Sequence, residues 1–367
     1  MSTARSSHTS SILTNGAVLV NGGYADGYLD IVTELYDPST GAWTITGNMI
    51  SPRMYHTASV LTNGKVLVAG GIYPWEPIAS AELYDPSTGS WTNAENMNTT
   101  RSSHTASTLA NGTVLIAGGA NGDYLVTSEL YDPSTGLWAN TGSMGDARVS
   151  HTASVLTNGK VLVAGGSDGG SLSSAELYDP LTGLWTKTGS MKDARVSHTA
   201  SVLTNGKVLV AGGLGDGSLS SAELYDPLTE LWTNTGSMND AREYHTASVL
   251  TNGKVLVVGE VNEGDNGMRF SAELYNPLTG LWIKIRSMNV PRLFHTASVL
   301  TNGNVLVVGG IHGLFSWNSA ELYDPSIEGC TNASNKNTKH MKNMASILKN
   351  DNVLFPGDRN YFDLNNT

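Results

Sequence analysis

The chain repeats one phrase seven times. The sixteen residues HTASVLTNGKVLVAGG at 151–166 return unchanged at 198–213, and the histidines that open successive copies are 47 to 50 residues apart. A fixed period of this length is the signature of a repeat architecture, in which each unit buries its apolar face against its neighbours. The seven copies begin at His8, His56, His104, His151, His198, His245 and His295.

One unit can be divided into four short strands. Small polar and apolar residues alternate in its first segment, as in a half-buried strand, and its second segment is continuously apolar. Asn158 and Gly159 between them predict a two-residue hairpin turn in which both residues have positive φ. Asp179-Pro180 ends the third segment because proline cannot donate to a ladder. The predicted strands are 151–156, 161–164, 176–178 and 184–186.

The order of landmarks within each unit resembles the kelch repeat. Each unit contains R-x-x-H, a glycine pair in all but the sixth, Tyr-Asp (Tyr-Asn in the sixth), and a Trp seven residues after the Tyr in six units. The resemblance covers nearly the whole chain and implies an all-β fold, a kelch-type β-propeller with one four-stranded antiparallel blade per unit. The framework tryptophans are Trp43, Trp91, Trp138, Trp185, Trp232 and Trp282, and the seventh unit has Cys330 instead.

We expect residues 1–367 to form a single propeller domain. The sequence after the seventh unit resembles a decayed eighth unit, with Asn343 in place of the histidine. We therefore favour eight blades with an incomplete last one, and the alternative is seven blades with a C-terminal appendage. The units lie near 5–52, 53–100, 101–147, 148–194, 195–241, 242–291, 292–339 and 340–367.

The repeated polar residues are predicted to belong to the scaffold. Active sites break the symmetry of a repeat protein, whereas scaffold residues recur in every unit. We expect each histidine to satisfy a local hydrogen bond at the start of a first strand, and each arginine to pair with the glutamate of a third strand. The resemblance also implies that the repeated Tyr and Trp pack between blades. The repeated arginines are Arg5, Arg53, Arg101, Arg148, Arg195, Arg242 and Arg292.

Signals for catalysis are few, and we predict a protein that is not an enzyme and needs no cofactor or metal. Galactose oxidase shares the kelch propeller, but its copper site requires Tyr and His ligands and a Cys–Tyr crosslink. Cys330 occupies a tryptophan framework position, so none of that site is carried over. The acidic segment from Glu260 to Asn266 has oxygens that could hold Ca²⁺, but it matches no known spacing and is interpreted as a solvated loop.

Two segments differ between the units, and they are the candidate binding site. One follows the glycine pair and the other comes just before each histidine; in kelch propellers these loops lie on one face. Large aromatic residues and arginine dominate protein–protein hot spots. The alternative is that these rings fold back onto their own blades. The candidates are Tyr24, Tyr28, Tyr55, Tyr73, Trp75, Tyr124, Tyr244, Arg269, Phe270, Phe294, Phe315 and Trp317. The loops of units four and five are small and polar, so that sector of the face is predicted to be inert.

Charge and composition disfavour some classes of binding partner. The net charge of −11 disfavours a nucleic acid, and no apolar run is long enough to span a membrane. We expect a monomer. The compartment is left open, with the cytoplasm favoured because the first residues lack a signal-like apolar segment and the chain has a single cysteine.

The favoured function is a non-catalytic interaction scaffold that binds a protein or peptide through the loop face. One alternative is a carbohydrate-active or oxidase-like propeller enzyme. Another is the substrate-receptor module of a ubiquitin ligase, a role that in kelch proteins depends on a BTB domain absent from this sequence.

Overall fold

The computed structural model describes residues 1–25, 27–262, 268–313, 315–333 and 339–341. These residues form strands, turns and loops and contain no helix, hence none long and apolar enough to cross a membrane. Seven four-stranded antiparallel sheets contain most of the strands. The four strands of each sheet are arranged in chain order and come from one repeat unit, so each unit forms one blade and the all-β prediction is confirmed.

Equivalent strands recur in every blade. The first strands, next to the axis, are Thr9–Ile12, Thr57–Val60, Thr105–Thr108, Thr152–Val155, Thr199–Val202, Thr246–Val249 and Thr296–Val299. The second strands are Val18–Asn21, Val66–Ala69, Val114–Ala117, Val161–Ala164, Val208–Ala211, Val255–Asn262 and Val305–Val308. The third strands are Glu34–Asp37, Ala81–Asp85, Ser128–Asp132, Ala175–Asp179, Ala222–Asp226, Met268–Asn276 and Ala320–Asp324. The outer strands are Ala42–Ile45, Ser90–Ala94, Leu137–Asn140, Leu184–Lys187, Leu231–Asn234, Leu281–Ile285 and Gly329–Asn332.

Five short strands lie outside the blades. Tyr24–Ala25 pairs with Tyr28–Leu29 in the loop between the second and third strands of blade 1. Phe315–Trp317 pairs with Ile311–His312 in the corresponding loop of blade 7 and also with Lys339–Met341. These additions occur only in loops whose sequences depart from the repeat.

The four strands predicted for the fourth unit are confirmed, but the turn between the first two is not the predicted one. The Leu156 amide donates to the Lys160 carbonyl at 2.8 Å and the Gly159 amide donates to the Leu156 carbonyl at 2.9 Å, which closes a three-residue loop. Only Gly159 has positive φ, at 82°. The Asn158 side chain instead accepts a hydrogen bond from the Lys160 amide at 3.0 Å. The prediction of a two-residue turn was wrong. The sequence Asn-Gly also fits a three-residue loop, in which a type I turn is followed by a single residue of positive φ, here Gly159.

Neighbouring blades bury their apolar faces against each other. Leu156 and Leu162 of blade 4 form one core cluster with Val208, Val210 and Tyr225 of blade 5. In blades 1 to 6 the framework Tyr and Trp rings of one blade lie 4.9 to 5.2 Å apart between centroids. The framework Trp also reaches the preceding blade, as where the Trp232 indole N–H donates to the Gly189 carbonyl at 2.7 Å. The prediction that these rings pack between blades is confirmed.

The repeated histidine joins each blade to the one before it. His198 Nε2 lies 3.0 Å from Thr152 Oγ1, and equivalent pairs at 2.9 to 3.0 Å recur at all seven blade interfaces. The histidine side chains are at most 6% exposed and the threonines are half-buried, so the bonds are largely sheltered from water. The pairs are His8–Thr296, His56–Thr9, His104–Thr57, His151–Thr105, His198–Thr152, His245–Thr199 and His295–Thr246.

The pair His8–Thr296 closes the ring, because it joins blade 1 directly to blade 7 at 3.0 Å. The same junction has a shared core of strand-two residues from both blades and a hydrogen bond from the Met1 ammonium to the Asn318 carbonyl at 3.1 Å. The described residues therefore form a seven-bladed ring, and the preference for eight blades is not confirmed. Of the supposed eighth unit, residues 342–367 lie outside the described residues, and 340–341 belong to the strand Lys339–Met341 on the blade 7 loop.

The repeated arginine pairs with the glutamate of its own blade, as predicted. In blade 5, Arg195 Nη2 lies 2.9 Å from Glu223 Oε1, and the two side chains are 0% and 1% exposed. Arg195 also donates to the Gly212 carbonyl at 2.8 Å, and Glu223 accepts the Lys192 amide at 2.8 Å. A buried ion pair is stable only when such additional bonds satisfy the remaining donors and acceptors. The pairs are Arg5–Glu34, Arg53–Glu82, Arg101–Glu129, Arg148–Glu176, Arg195–Glu223, Arg242–Glu273 and Arg292–Glu321.

The glycine pair allows two blades to approach closely at this point. Gly165 has φ of +63°, and a Cβ there would lie 2.5 Å from the Arg195 carbonyl oxygen and 2.6 Å from His198 Cε1. The Gly166 amide donates to that carbonyl at 2.9 Å. Any side chain at Gly165 would therefore push blade 5 away from blade 4.

We predict that replacing one histidine of the ring weakens the fold. His198→Ala removes the bond to the half-buried hydroxyl of Thr152, which costs about 0.5–1.5 kcal/mol. Thermal unfolding should show a lower melting temperature for His198→Ala. The control Thr186→Ala changes an exposed side chain of blade 4 and should stay within about 0.5 kcal/mol of the parent. Equal melting temperatures for the two variants would contradict the scaffold role.

Because the framework histidines are buried, we also predict that the fold is sensitive to acid. Burial, together with nearby arginines, lowers the pKa of His56, His151, His198 and His295 from 6.5 to about 3, and that of the other three well below 6.5. Between these values the unfolded chain binds protons that the folded protein excludes. The free energy of unfolding should therefore be fully present above pH 6.5 and fall as the pH decreases, by up to about 1.4 kcal/mol per pH unit for each histidine.

Chemical denaturation at a series of pH values between 8 and 5 measures this dependence. The slope of the free energy of unfolding against pH should approach the value expected when several protons are taken up on unfolding. A free energy of unfolding that is constant from pH 8 to pH 5 would mean that these histidines are not buried in neutral form.

Candidate binding face

Antiparallel strands place two kinds of connection at the same end of every blade. The loop between the second and third strands and the linker from one blade to the next both lie there, while the two hairpin turns lie at the other end. We call the first end the loop face. Every candidate site residue predicted from the sequence belongs to a segment of this face, so the predicted location of the two variable segments agrees with the topology.

The linkers form a chain of backbone hydrogen bonds around the axis on the loop face. Each residue just before a framework histidine has φ between 50° and 55°. Six of these residues, all but Phe294, donate their amide to the carbonyl of the counterpart in the preceding blade, for example Ser150 to Ser103 at 3.2 Å and Ser7 to Phe294 at 3.1 Å. The seven positions are Ser7, Tyr55, Ser103, Ser150, Ser197, Tyr244 and Phe294.

Three of these seven positions carry aromatic rings that meet at the axis. The rings of Tyr244 and Phe294 are 4.5 Å apart between centroids, and those of Tyr55 and Phe294 are 6.5 Å apart and edge-to-face. All three side chains are half-buried. We call them the axial cluster. Because blades 6, 7 and 2 supply them and serines come from blades 1, 3, 4 and 5, the face is asymmetric at its centre.

A second group of aromatic residues surrounds a cleft between the loops of blades 1 and 2. The cleft has a volume of about 250 Å³. The described residues that line it carry no charged side chain. We call it the loop cleft, and its lining residues are Tyr24, Gly27, Tyr28, Leu29, Pro52, Tyr73, Pro74 and Trp75. Sequence reasoning found the three Tyr and the Trp but not Pro52, Pro74 or Leu29, which searching for large aromatic residues could not reveal.

The blade 2 loop presents its aromatic residues on a fixed base. The Ile72 amide donates to the Met54 carbonyl at 2.9 Å, and the Tyr73 amide donates to the Glu76 carbonyl at 2.9 Å, which closes a tight turn. Trp75, at the tip of that turn, is 60% exposed. An indole that exposed on a hydrogen-bonded turn is available to a partner without a rearrangement of the blade.

The blade 1 loop is fixed by an ion pair of its own. Asp30 Oδ2 lies 3.1 Å from Arg5 Nη2, and the side chains are 9% and 0% exposed. At the base of the loop, the Tyr24 amide donates to the Ser6 carbonyl at 2.8 Å. Tyr28, at the tip, is 79% exposed. The two walls of the loop cleft are therefore held separately and end in exposed rings.

Four other candidates lie elsewhere on the loop face. Tyr124 is half-buried and leans towards the blade 4 loop, where its Cε2 would be 3.8 Å from a Cβ on Gly169. Arg269 and Phe270 lie in the third strand of blade 6, which pairs with the second strand as far as Asn262. Phe315 lies in the short strand of the blade 7 loop. For these last three residues only the backbone is described, and residues 263–267 of the acidic segment lie outside the described residues.

Trp317 is buried, contrary to its selection as an exposed binding residue. Its side chain is 3% exposed, and the indole N–H donates to the Pro291 carbonyl at 2.9 Å. Its amide also donates to the Gly310 carbonyl at 2.9 Å. The ring anchors the blade 7 loop on its own blade, so Trp317 is removed from the candidate surface and Trp75 alone of the two tryptophans remains.

Blades 4 and 5 have small polar loops on this face, as the sequence indicates. Their exposed apolar residues lie at the other end of the strands, in the turns between the third and outer strands. Leu181 is 96% exposed, Leu228 is 94% exposed, and Leu278 of blade 6 is 95% exposed. Comparison of the variable loops alone could not have found these leucines.

The described residues do not assemble a recognisable catalytic centre. The seven framework histidines are bound to threonines, and among the described residues no three His, Cys, Asp or Glu side chains converge to hold a metal ion. Cys330 lies opposite Tyr323 in the register of blade 7, in the position of the framework Trp. Burial raises the pKa of its thiol to about 12. A thiol that stays protonated at neutral pH is a poor nucleophile.

Comparison with known proteins gives matches of two kinds. The family model described as the KLHDC2/KLHL20/DRC7 Kelch-repeats domain matches residues 103–310, and the Kelch motif model matches residues 53–98. No match was found among curated proteins.

Among solved structures, the chain is similar to a novel fungal alcohol oxidase of the AA5 family in complex with copper. The identity is 20%, the TM-score 0.67, and the alignment covers 84% of this chain and 70% of the oxidase. It is also similar to YjhT, with 16% identity, a TM-score of 0.60 and coverage of 77% of this chain and 98% of YjhT. At these identities the similarity shows the fold alone.

Proposed function

The chain belongs to the kelch-repeat family, and on that premise we propose that it is a non-catalytic interaction scaffold that binds a protein or peptide through its loop face. Kelch propellers commonly bind proteins. The observation that carries the proposal is the pair of exposed aromatic loop tips at the loop cleft, Tyr28 and Trp75, at 79% and 60% exposure. Exposed tyrosine and tryptophan on fixed loops are the residue types on which protein interfaces depend.

The distribution of polar groups supports a scaffold over an enzyme. The framework arginines, glutamates and histidines are buried: each arginine pairs with the glutamate of its own blade, and each histidine bonds to a threonine of the preceding blade. An enzyme needs titratable groups that converge on a substrate with pKa values suited to proton transfer. The histidines are instead held neutral by burial, each in the same environment as the other six.

The oxidase-like alternative finds no matching ligand set in the described residues. The fungal oxidase is in complex with copper, whereas the described residues of this chain bring no three His, Cys, Asp or Glu side chains together. The single described cysteine is a buried thiol of the framework. The ubiquitin-ligase alternative would use the same loop face to bind its substrate, so it is a special case of the proposed scaffold.

We predict that the loop cleft, and not the loops of blades 4 and 5, determines which proteins bind. Trp75→Ala should reduce the recovery of specific partners from a native lysate, because loss of a central aromatic anchor costs about 2 kcal/mol or more, roughly thirtyfold in affinity. The matched control variants are Ser171→Ala and Ser218→Ala. Quantitative mass spectrometry of proteins captured by each immobilised variant measures the effect.

The control variants should retain the whole set of partners. If Ser171→Ala or Ser218→Ala loses partners while Trp75→Ala keeps them, the assignment of the binding face to blades 1 and 2 is wrong.

We predict that neither Cu²⁺ nor Ca²⁺ stabilises the protein. A metal that binds only the folded state raises the free energy of unfolding by about 2.7 kcal/mol at one hundred times its Kd. Thermal unfolding with each metal, and with a chelator as the reference, should give the same melting temperature. A saturable increase with copper would favour the oxidase-like alternative.

A further inference from the structure

The lining of the loop cleft limits what can occupy it. The described lining consists of three tyrosines, one tryptophan, two prolines, one leucine and one glycine. A free carbohydrate or small metabolite is normally oriented by a few fixed polar or charged groups inside a pocket of about 300–1,000 Å³. With a volume of about 250 Å³ and no charged residue in its described lining, the loop cleft is suited instead to one or two side chains of a chain that continues across the surface.

The residues that line the loop cleft favour one backbone conformation of the bound chain. An α-helix satisfies its own carbonyls and a β-strand needs a free strand edge of several residues, whereas the strand Tyr28–Leu29 has only two. A polyproline II segment makes no internal hydrogen bonds and is already extended, so it loses little entropy on binding. Grooves lined by aromatic residues bind such segments, since rings pack on the proline faces while tyrosine and tryptophan donate to the carbonyls.

The charge next to the loop cleft predicts the charge of the ligand. Glu76 follows Trp75 directly and is exposed. The ion pairs at the bases of the two loops are buried, as in Arg53–Glu82 and Arg5–Asp30, so they present little charge to solvent. The whole chain carries a net charge of −11. A ligand with a basic residue beside the aromatic contacts is therefore favoured electrostatically.

We propose that the loop cleft binds a proline-rich peptide segment in the polyproline II conformation, with an arginine or lysine placed to meet Glu76. The proposal rests on the proposed function and specifies its ligand. The prolines lie against the rings of Tyr28, Tyr73 and Trp75, and the basic side chain lies at the rim.

Fluorescence anisotropy with labelled peptides tests the proposal directly. The probe is a library of Pro-x-x-Pro peptides with one arginine and randomised x positions, compared with a matched library in which alanine replaces each proline. Members of the first library should bind saturably and those of the second should not. The best binder should lose about thirtyfold in affinity with Trp75→Ala and be unchanged with Ser171→Ala.

Two further variants separate the contacts. Tyr28→Ala alters a side chain that is 79% exposed and provides a second test if Trp75→Ala lowers the melting temperature. Glu76→Gln should weaken the arginine peptides several-fold, reduce the dependence of their binding on salt, and have no effect on peptides with alanine in place of the arginine.

Three results would overturn the proposal. They are the absence of binding by the whole proline library, equal binding by the two libraries, and binding that neither Trp75→Ala nor Tyr28→Ala weakens. If partner capture from the lysate still depends on Trp75 in any of these cases, the scaffold function stands and only the identity of the ligand is wrong. If capture does not depend on Trp75 either, both fail.

Discussion

Every blade of this propeller depends on a buried arginine–glutamate pair. The arginine lies in the linker that enters a blade and the glutamate in the third strand of the same blade, as in Arg195 and Glu223 at 2.9 Å. The backbone carbonyl of the arginine accepts the amide of Gly166 in the preceding blade, and three residues later His198 binds Thr152 of that blade. One short segment therefore satisfies its buried charge within one blade and fixes the position of the next. Because breaking a buried pair leaves an unpaired charge inside the protein, the arginine and the glutamate recur in every unit.

The framework residues are constrained, whereas the residues of the loop face are free to vary. Specific binding can therefore depend on the residues that differ between the loops. Blades 4 and 5 follow the repeat closely and end in small polar loops. Blades 1 and 2 add aromatic residues on turns that are anchored separately, through Asp30 in one and the Tyr73–Glu76 turn in the other. The asymmetry extends to the axis, where Phe294 contacts two aromatic residues of other blades. A ring of near-identical blades thus acquires one distinctive sector without any change in the bonds that hold the blades together.

Much of the fold could be predicted from the sequence because equivalent residues recur with the same environment. The recurrence of both residues in every unit indicates the pairing of Arg195 with Glu223, and the resemblance to the kelch repeat implies the packing of Trp232 between blades. The sequence could not distinguish Trp75 from Trp317, since both stand in irregular loops. Burial of Trp317 depends on the Pro291 carbonyl of a linker, a contact between segments that no local pattern records. The preference for eight blades over seven was not confirmed, because sequence similarity after the seventh unit does not reveal which blade packs against blade 1.

The central claim is that the bond between one histidine and one threonine joins each blade to the next, including blade 7 to blade 1. A double-mutant cycle measures that bond at the junction, with His8→Ala, Thr296→Val and the double variant, and a second cycle on His198 and Thr152 gives the reference within the ring. Chemical denaturation should give the same coupling energy for both cycles, about 0.5–1.5 kcal/mol. A coupling near zero for His8 and Thr296, with normal coupling for His198 and Thr152, would show that blade 1 does not pack on blade 7 and would contradict the seven-bladed ring.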